Sequence, residues 1–419
     1  MNTAVQTRSQ QRSVVNCRVC GKDGLAPVLD LGATPLADAL LSDADLVRGD
    51  EATHPLEVAF CPSCALVQIL ETVPPEEVFA RDYPYFSSFS DALLAHSRDN
   101  ALELIEARGL DERSLVVELA SNDGYLLRNF VEKGVPALGI DPAEGPAKAA
   151  TAIGVPTMNA FFTADLAQQL VDEDKRADVV IANNVLAHVA DTNGFVQGIA
   201  KILKDDGVAV IEAPYLGDLI EHCEFDTIYH EHLCYFSATA LDNLFRRNGL
   251  FLNDVRRLPI HGGSMRSYVS KCDAPTEAAR SLLAEEKETG MTQARFYADF
   301  ARRVETLRDD LLALLRDIKA EGGRIAAYAA SAKGATLLNY CGVGNNMIDF
   351  VVDRNVHKQG KYMPGAHLPI RAPEALLEEA PDYALLLAWN FADEILEQQQ
   401  AFRDGGGKFI IPVPEVRVV

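Results

Sequence analysis

The sequence predicts an α/β protein with two doubly wound modules and a small cysteine-bearing module ahead of both. Three observations carry this. The run Leu115-Val116-Val117-Glu118-Leu119-Ala120-Ser121-Asn122-Asp123-Gly124 passes from apolar residues through an acid into a small-polar loop, and an apolar helix start follows at Tyr125. A second strand–loop–helix unit runs from Arg324 through Ser331 to Thr336. Two C-x-x-C pairs, Cys17/Cys20 and Cys61/Cys64, precede them.

The whole chain sets bounds. Its 419 residues suggest about three domains at ~150 residues each. A hydrophobic content of 48% is enough for several cores. No apolar run reaches the ~20 residues of a membrane-spanning helix. The stretch from Met1 to Asn16 is polar and carries no apolar signal segment, so a cytoplasmic location is expected. A net charge of −22 argues against nucleic acid or an anionic membrane as partner. Solubility is its plainest reading, and a phosphorylated ligand would need a local basic pocket.

In chain order, the two cysteine pairs come first. Each C-x-x-C on a turn supplies two thiolates, and the two together complete a tetrahedral zinc site. Forty residues lie between the pairs, so a small subdomain must fill the gap. Four thiolates leave no open position, which makes the zinc structural. A redox pair is the alternative. His54 is not expected to be a ligand. The other cysteines (Cys223, Cys234, Cys272, Cys341) are scattered.

Next comes the aromatic and hydroxyl-rich run Arg81 to Ser90, followed by a helix over about Asp91 to Arg108. The run is either packing between modules or a substrate lid carrying Tyr83 and Tyr85. The central domain then alternates strands (Leu115–Glu118, Ala137–Ile140, Val155–Met158, Asp178–Ala182, Val208–Ala213) with helices such as Ala164–Val171 and Thr192–Lys204. Ligands of such a parallel sheet sit at the carboxyl ends of its strands. Asp141 ends the second strand and could accept ribose hydroxyls. Asn183 and Asn184 end the fourth, with His188 just beyond. The pyrophosphate pattern G-x-G-x-x-G is absent. Glu118, Asn122 and Asp123 make the loop acidic instead, which suits a cofactor carrying an amine and a sulfonium.

After the fifth strand comes Tyr229-His230-Glu231-His232-Leu233-Cys234-Tyr235-Phe236. Zinc spacing of the H-E-x-x-H kind is not met. The cluster reads as acid–base chemistry on one face of an extended loop, with a carboxylate orienting an imidazole. His261-Gly262-Gly263-Ser264-Met265-Arg266 then offers either a hairpin turn or close backbone approach to a ligand, with Arg266 as a fixed cation. Flanking strands at Phe251–Leu258 and Arg266–Lys271 complete the sheet. Thr276 to Ala320 reads as helix, with Phe296, Phe300, Val304, Leu307, Leu311, Leu314 and Ile318 forming one stripe. In the last module, Ser331 and Lys333 stand at a helix N-terminus, a natural anion site. Asp353, Arg354, Lys358 and Lys361 follow a further strand.

The first loop resembles the S-adenosylmethionine (SAM) site of class I methyltransferases, with Ala120 where the usual glycine stands. The two C-x-x-C pairs, Tyr83 to Ser90, this loop, residues 229–236, His-Gly-Gly-Ser-x-Arg at 261–266 and Ser-x-Lys-Gly-x-Thr at 331–336 occur in this order. Together they resemble the SAM-dependent sugar 3-C-methyltransferases of deoxysugar antibiotic biosynthesis, over nearly the whole chain. The resemblance implies a zinc-binding module (1–75), a class I SAM methyltransferase domain with a Rossmann-like sheet (76–272), and a helical connector plus Rossmann-like nucleotide-sugar domain (273–419). It implies a dTDP-linked 3-amino-4-keto-2,3,6-trideoxyhexose as substrate. SAM would be held by Glu118, Ala120, Asn122, Asp123, Gly124, Asp141, Asn183 and Asn184. His232 would be the base at C3. Glu231 would orient a neighbour or bind the sugar amine. Tyr229 or Tyr83 would donate to the C4 oxygen, and His188 would sit near the methyl donor or the sugar. Tyr85, His261, Arg266, Ser331, Lys333, Asp353, Arg354 and Lys358 would hold the substrate. Two rival classes are a nicotinamide oxidoreductase, since Asp141 could hold an NAD ribose, and a non-catalytic zinc-ribbon scaffold. Oligomeric state is out of the sequence's reach; a monomer is compatible with it.

Overall fold

The computed structural model describes residues 16–74 and 86–419, apart from the side chain of His261. Three sheets organise it. The first is an antiparallel meander of β1 (Ala26–Thr34), β2 (His54–Phe60) and β3 (Val67–Ile69). Both cysteine pairs sit on matching turns. Gly21 N–H bonds Cys17 O at 2.8 Å and Ala65 N–H bonds Cys61 O at 2.9 Å. Gly21 and Ala65 close these turns in left-handed backbone, at φ 70° and 62°.

The central sheet holds β4 (Val116–Leu119), β5 (Ala137–Asp141), β6 (Thr157–Asn159), β7 (Ala177–Asn183) and β8 (Leu203–Pro214). A short β9 (Cys234–Tyr235) leaves this domain, and β10 (Phe251–Leu258) and β11 (Ser264–Ser270) return to it. The order is β10-β11-β8-β7-β4-β5-β6, and β11 alone runs against its neighbours. The order turns back between β4 and β7, so the loops leaving those two strands border one crevice. β4 is buried along its whole length, as a central parallel strand requires, although its third residue is Glu118. β9 pairs antiparallel with β3, matching Val67 with Tyr235 and Gln68 with Cys234. The catalytic-looking segment thus becomes the fourth strand of the cysteine module's sheet.

The reading of one helix over 276–320 is corrected to two, Glu277–Thr289 and Ala294–Ala320. Gly290, at φ 89°, ends the first as a left-handed cap. The buried stripe of the second is Tyr297, Phe300, Val304, Leu307, Leu311, Leu315 and Ile318. Phe296 and Leu314 are only partly buried, because the stripe's three-and-four spacing runs through their neighbours.

The third sheet is built from β12 (Ile325–Tyr328), β13 (Val351–Val352), β14 (Ile370–Arg371), β15 (Tyr383–Leu386), β16 (Lys408–Ile411) and β17 (Arg417–Val418). Its order is β14-β13-β12-β15-β16-β17, parallel except for β17. The cysteine module docks on it through reciprocal Leu41–Tyr362 backbone bonds of 3.0 and 2.8 Å.

Candidate active site

The loop after β4 is wound by three left-handed residues, Ala120 (φ 55°), Asn122 (φ 49°) and Gly124 (φ 77°). Ala120 therefore carries a methyl group where glycine would be unstrained. A Cβ on Gly124 would lie 3.1 Å from Val155, so the chain here accepts only glycine without adjustment. Asn122 N–H and Ala143 N–H each donate to the Asp141 carboxylate at 2.8 Å. Those bonds fix the carboxylate at the crevice and leave lone pairs for a ribose. Asn122 Oδ1 accepts from Ser87 N–H at 2.9 Å, and Asp123 Oδ2 from Ser88 N–H at 3.2 Å. The described end of the 81–90 run is thereby latched onto the loop. Tyr83 and Tyr85 lie outside the described residues.

Glu118 is 1% exposed, and neither carboxylate oxygen has a hydrogen-bond partner among the described residues. Burial, with Asp141, Asp123 and Glu212 nearby, holds its carboxyl well above the usual range. A buried carboxylate without a partner is expensive, and a cation is what this site lacks. Asn183 Oδ1 is likewise buried and unpartnered, and Asn184 enters left-handed backbone at φ 52°. A sulfonium and amine, a ribose and an adenine edge fit these groups; a pyrophosphate does not. Phe162 is core: its ring meets Phe195 edge-on at 5.5 Å.

From β8 the chain runs through a helix, Leu216–Glu221, and a single tight turn, Phe225–Thr227, into Tyr229–His232. The expected extended loop is instead a turn closed by His232 N–H on Tyr229 O at 2.9 Å. Its side chains therefore do not share a face. His230 points to the cysteine module, donating from Nε2 to Pro55 O at 3.2 Å, with His54 edge-on at 5.6 Å. His232 points the other way, its ring 4.1 Å from Tyr229 and 4.8 Å from His188. His232 Nδ1 donates to Thr227 O at 2.8 Å, which leaves the Nε2 lone pair available. Burial first, then His188, push His232 down to about 3. Burial pushes His188 down to about 4, against the backbone groups of Glu231 and Asn184. Both rings are neutral at neutral pH.

The imidazole–carboxylate pairing read from the sequence is corrected: Thr227's carbonyl, not Glu231, orients His232. Glu231 turns toward Asp38 of the cysteine module, and burial plus Asp38 push it up to about 8. Asp38 was missed because nothing local marks one acid in a loop. Lys358 faces the same corner, pulling Asp38 down while burial pushes it up, and its Nζ donates to Ala330 O at 2.7 Å.

Several expected ligand contacts are differently employed. Arg266 Nε is ion-paired to buried Glu212 at 2.5 Å, and His96 Nε2 lies 2.9 Å from the same carboxylate. At 4% exposed, Arg266 braces β11 to β8 and is no open cation. The space left by Gly262 and Gly263 is taken by the protein's own Glu224 and Asp218 carboxylates, not by a ligand. The side chain of His261 lies outside the described residues. Ser331 caps its helix, accepting from Gly334 N–H at 3.1 Å, and gives its proton to Leu387 O at 3.3 Å. Lys333 Nζ donates to Asn390 Oδ1 at 3.1 Å and lies 4.6 Å over the Trp389 ring. Trp389 Nε1 donates to Asp226 Oδ2 at 2.6 Å, so this helix start faces the catalytic-looking turn. Asp353 repeats the geometry of Asp141, accepting from Ala330 N–H and Asn355 N–H at 2.8 Å each. Arg354 is exposed and reaches Gln398 at 3.2 Å.

The four sulfurs of Cys17, Cys20, Cys61 and Cys64 all lie within 4.8 Å of one another. Cys17 and Cys64 are 3.4 Å apart, and Cys20 and Cys61 are 3.5 Å apart. A zinc tetrahedron with ~2.3 Å bonds has sulfur edges near this length. The Cys17 thiol is held down at about 5 by its Cys64 neighbour. The set suits a closed structural zinc. Among the described residues no helix is long and apolar enough to cross a membrane.

Family models match in three consecutive stretches. They are a zinc binding domain over residues 17–79, a methyltransferase domain over 90–253, and a C-methyltransferase C-terminal domain over 259–414. C-methyltransferase NovU of Streptomyces niveus is 38% identical over 411 residues, 97% of each chain. The ubiquinone biosynthesis O-methyltransferase of Azorhizobium caulinodans is 25% identical over 122 residues, 29% of this chain and 47% of that one. The crystal structure of magnesium protoporphyrin IX methyltransferase from Synechocystis PCC 6803 with bound SAM matches 48% of this chain and 100% of that one, at a TM-score of 0.37 and 14% identity. With NovU aligned end to end and all three models in register, the chain belongs to the family of SAM-dependent C-methyltransferases that carry an N-terminal zinc module.

Proposed function

We propose that this enzyme methylates C3 of a dTDP-linked 3-amino-4-keto-2,3,6-trideoxyhexose through an enolate, in deoxysugar and antibiotic biosynthesis. The reading divides the chain at 1–75, 76–272 and 273–419 into zinc, methyl-donor and nucleotide-sugar modules. The observation that carries it is the half-buried Tyr229–His232–His188 ring cluster beside the crevice of the central sheet. A carbon becomes nucleophilic when a proton is lost beside a carbonyl. His232 Nε2 takes the C3 proton, and the electron pair moves into an enolate whose oxygen sits on C4. Burial lowers the basicity of His232, but negative charge developing on that oxygen favours the imidazolium in a low-dielectric site. Tyr229 or Tyr83 donates to the C4 oxygen. SAM, when bound, would supply an electrophilic methyl group for the new bond at C3, its sulfonium becoming a neutral thioether. Glu118, Asp123 and Asp141 hold its charged and hydroxyl groups, while Ala120, Asn122, Gly124, Asn183 and Asn184 shape its seat. His188 sits near the methyl donor or the sugar.

The raised Glu231 beside Asp38 supports an amino sugar. Glu231, raised by burial and then by Asp38, would be relieved by one ammonium beside it. Lys333, Asp353, Arg354 and Lys358 offer the nucleotide its charges and hydroxyl acceptor, with Ser331 holding the helix start and Tyr85 and His261 framing the sugar. The test is exchange of the C3 hydrogen for deuterium in D2O with His232→Asn. Both exchange and methylation should fall by at least ~100-fold. Survival of both near the wild-type rate removes His232 as the base.

A further inference from the structure

The structure assigns Gln68 as a positioning residue: it ties the first zinc knuckle to the strand that sets His188 against His232. This rests on the proposed role of that pair. Gln68 is 0% exposed on β3 and lies opposite Cys234 on β9. Its Oε1 accepts from Arg18 N–H at 2.9 Å, between Cys17 and Cys20, and its Nε2 donates to Asn16 O at 3.4 Å. The Arg18 guanidinium grips the same strand end, donating to Ile69 O at 3.3 Å and Glu71 O at 2.9 Å.

The next link is direct. Ile69 N–H donates to Leu233 O at 3.1 Å, and Leu233 N–H donates to Ala187 O at 2.8 Å. Leu233 follows His232, and Ala187 precedes His188. One residue therefore spaces the two rings, and β3 holds that residue. The knuckle also reaches the second ring's segment, since Asn193 Nδ2 donates to Arg18 O and Val19 O at 3.0 Å each. Both ring-bearing segments are thus attached to one turn of the four-cysteine site. Loss of Gln68 should let the ring pair drift, and misplacement of about 1 Å costs on the order of 100-fold at worst.

The test uses full-length Gln68→Leu with 13C-labelled histidine rings. We expect wild-type zinc content and SAM affinity, an unchanged KM for SAM, a kcat lowered on the order of tenfold, and shifted His188 and His232 ring resonances. Wild-type kcat with both resonances unmoved overturns the assignment. If Gln68→Leu loses zinc, Asn193→Ala decides, because it cuts the knuckle's outer bonds and leaves the module's interior whole. The same fall in kcat and the same ring shifts support the link; their absence overturns it. Should His232→Asn prove fully active, the base assignment fails separately, and the ring resonances still decide for or against Gln68.

Discussion

Glu118→Gln sets two effects of opposite sign against each other. In the ligand-free protein the Glu118 carboxylate is buried at the end of β4 with no hydrogen-bond partner among the described residues and three acids close by. An amide has nearly the same shape and no charge to desolvate. Burial and the three acids already hold this carboxyl toward its neutral form, and the amide is left without a partner too, so the gain lies at the low end of about 1–3 kcal/mol. For a domain of this size each kcal/mol moves the melting temperature by about 2–4 °C. SAM binding should suffer in the same variant, because its cation loses the charge that faces it. A charge-assisted bond is worth about 1.5–3 kcal/mol, roughly 10- to 100-fold in Kd. The assay is thermal melting with and without saturating SAM, alongside calorimetric titration. We expect a higher apo melting temperature and a smaller SAM-induced shift. A variant that melts lower than wild type and binds SAM as tightly refutes the reasoning.

Three further outcomes follow from the same geometry. Ala120→Gly should stabilise the protein by a few tenths to about 1 kcal/mol, since relief of left-handed strain, about 1–2 kcal/mol, outweighs the chain entropy of glycine at about 0.5–1 kcal/mol; urea melts measure it, and SAM should bind no more weakly. Cys61→Ser should lose zinc and melt lower, and a chelator should lower the wild-type melting temperature while leaving the variant unmoved. The share of stability contributed by Glu224 and Glu231 should fall as pH rises from about 6.5 to 8. It is read as the difference in melting temperature between wild type and a Glu224→Gln/Glu231→Gln variant, because the lowered Cys17 acts in the opposite sense in both proteins. In that window Glu224 and Glu231, both raised to about 8, keep protons that their unfolded forms have released, so the native state binds more protons. Below 6.5 the lowered His188 and His232 act in the opposite sense, because the unfolded chain takes up their protons first. A difference between wild type and that variant that is flat or rising between pH 6.5 and 8 contradicts this.

What the sequence revealed was local. The acid, the small-polar loop and Gly124 announce the first crevice because a tight turn after a buried strand needs those residue types in that order. The cysteine pairs announce their metal for the same reason of spacing. What stayed hidden depends on partners far away in the chain. Arg266 looks like a free cation until Glu212 and, from another helix, His96 are placed beside it. The glycines at 262 and 263 look like a ligand seat until Glu224 and Asp218 fill it. Asp38 acquires meaning only when the first module docks against Glu231. His230 and His232 differ by two positions, a spacing that puts side chains on one face of a strand but not of a turn.

The central claim is that a carbon accepts the methyl group. Incubating the enzyme with 13C-methyl SAM and the dTDP-linked 3-amino-4-keto sugar, then reading the product by carbon NMR, tests it most directly. The account requires the labelled methyl to be bonded to C3, with C3 carrying no hydrogen. A label bonded to nitrogen or oxygen, with the C3 hydrogen retained, contradicts it.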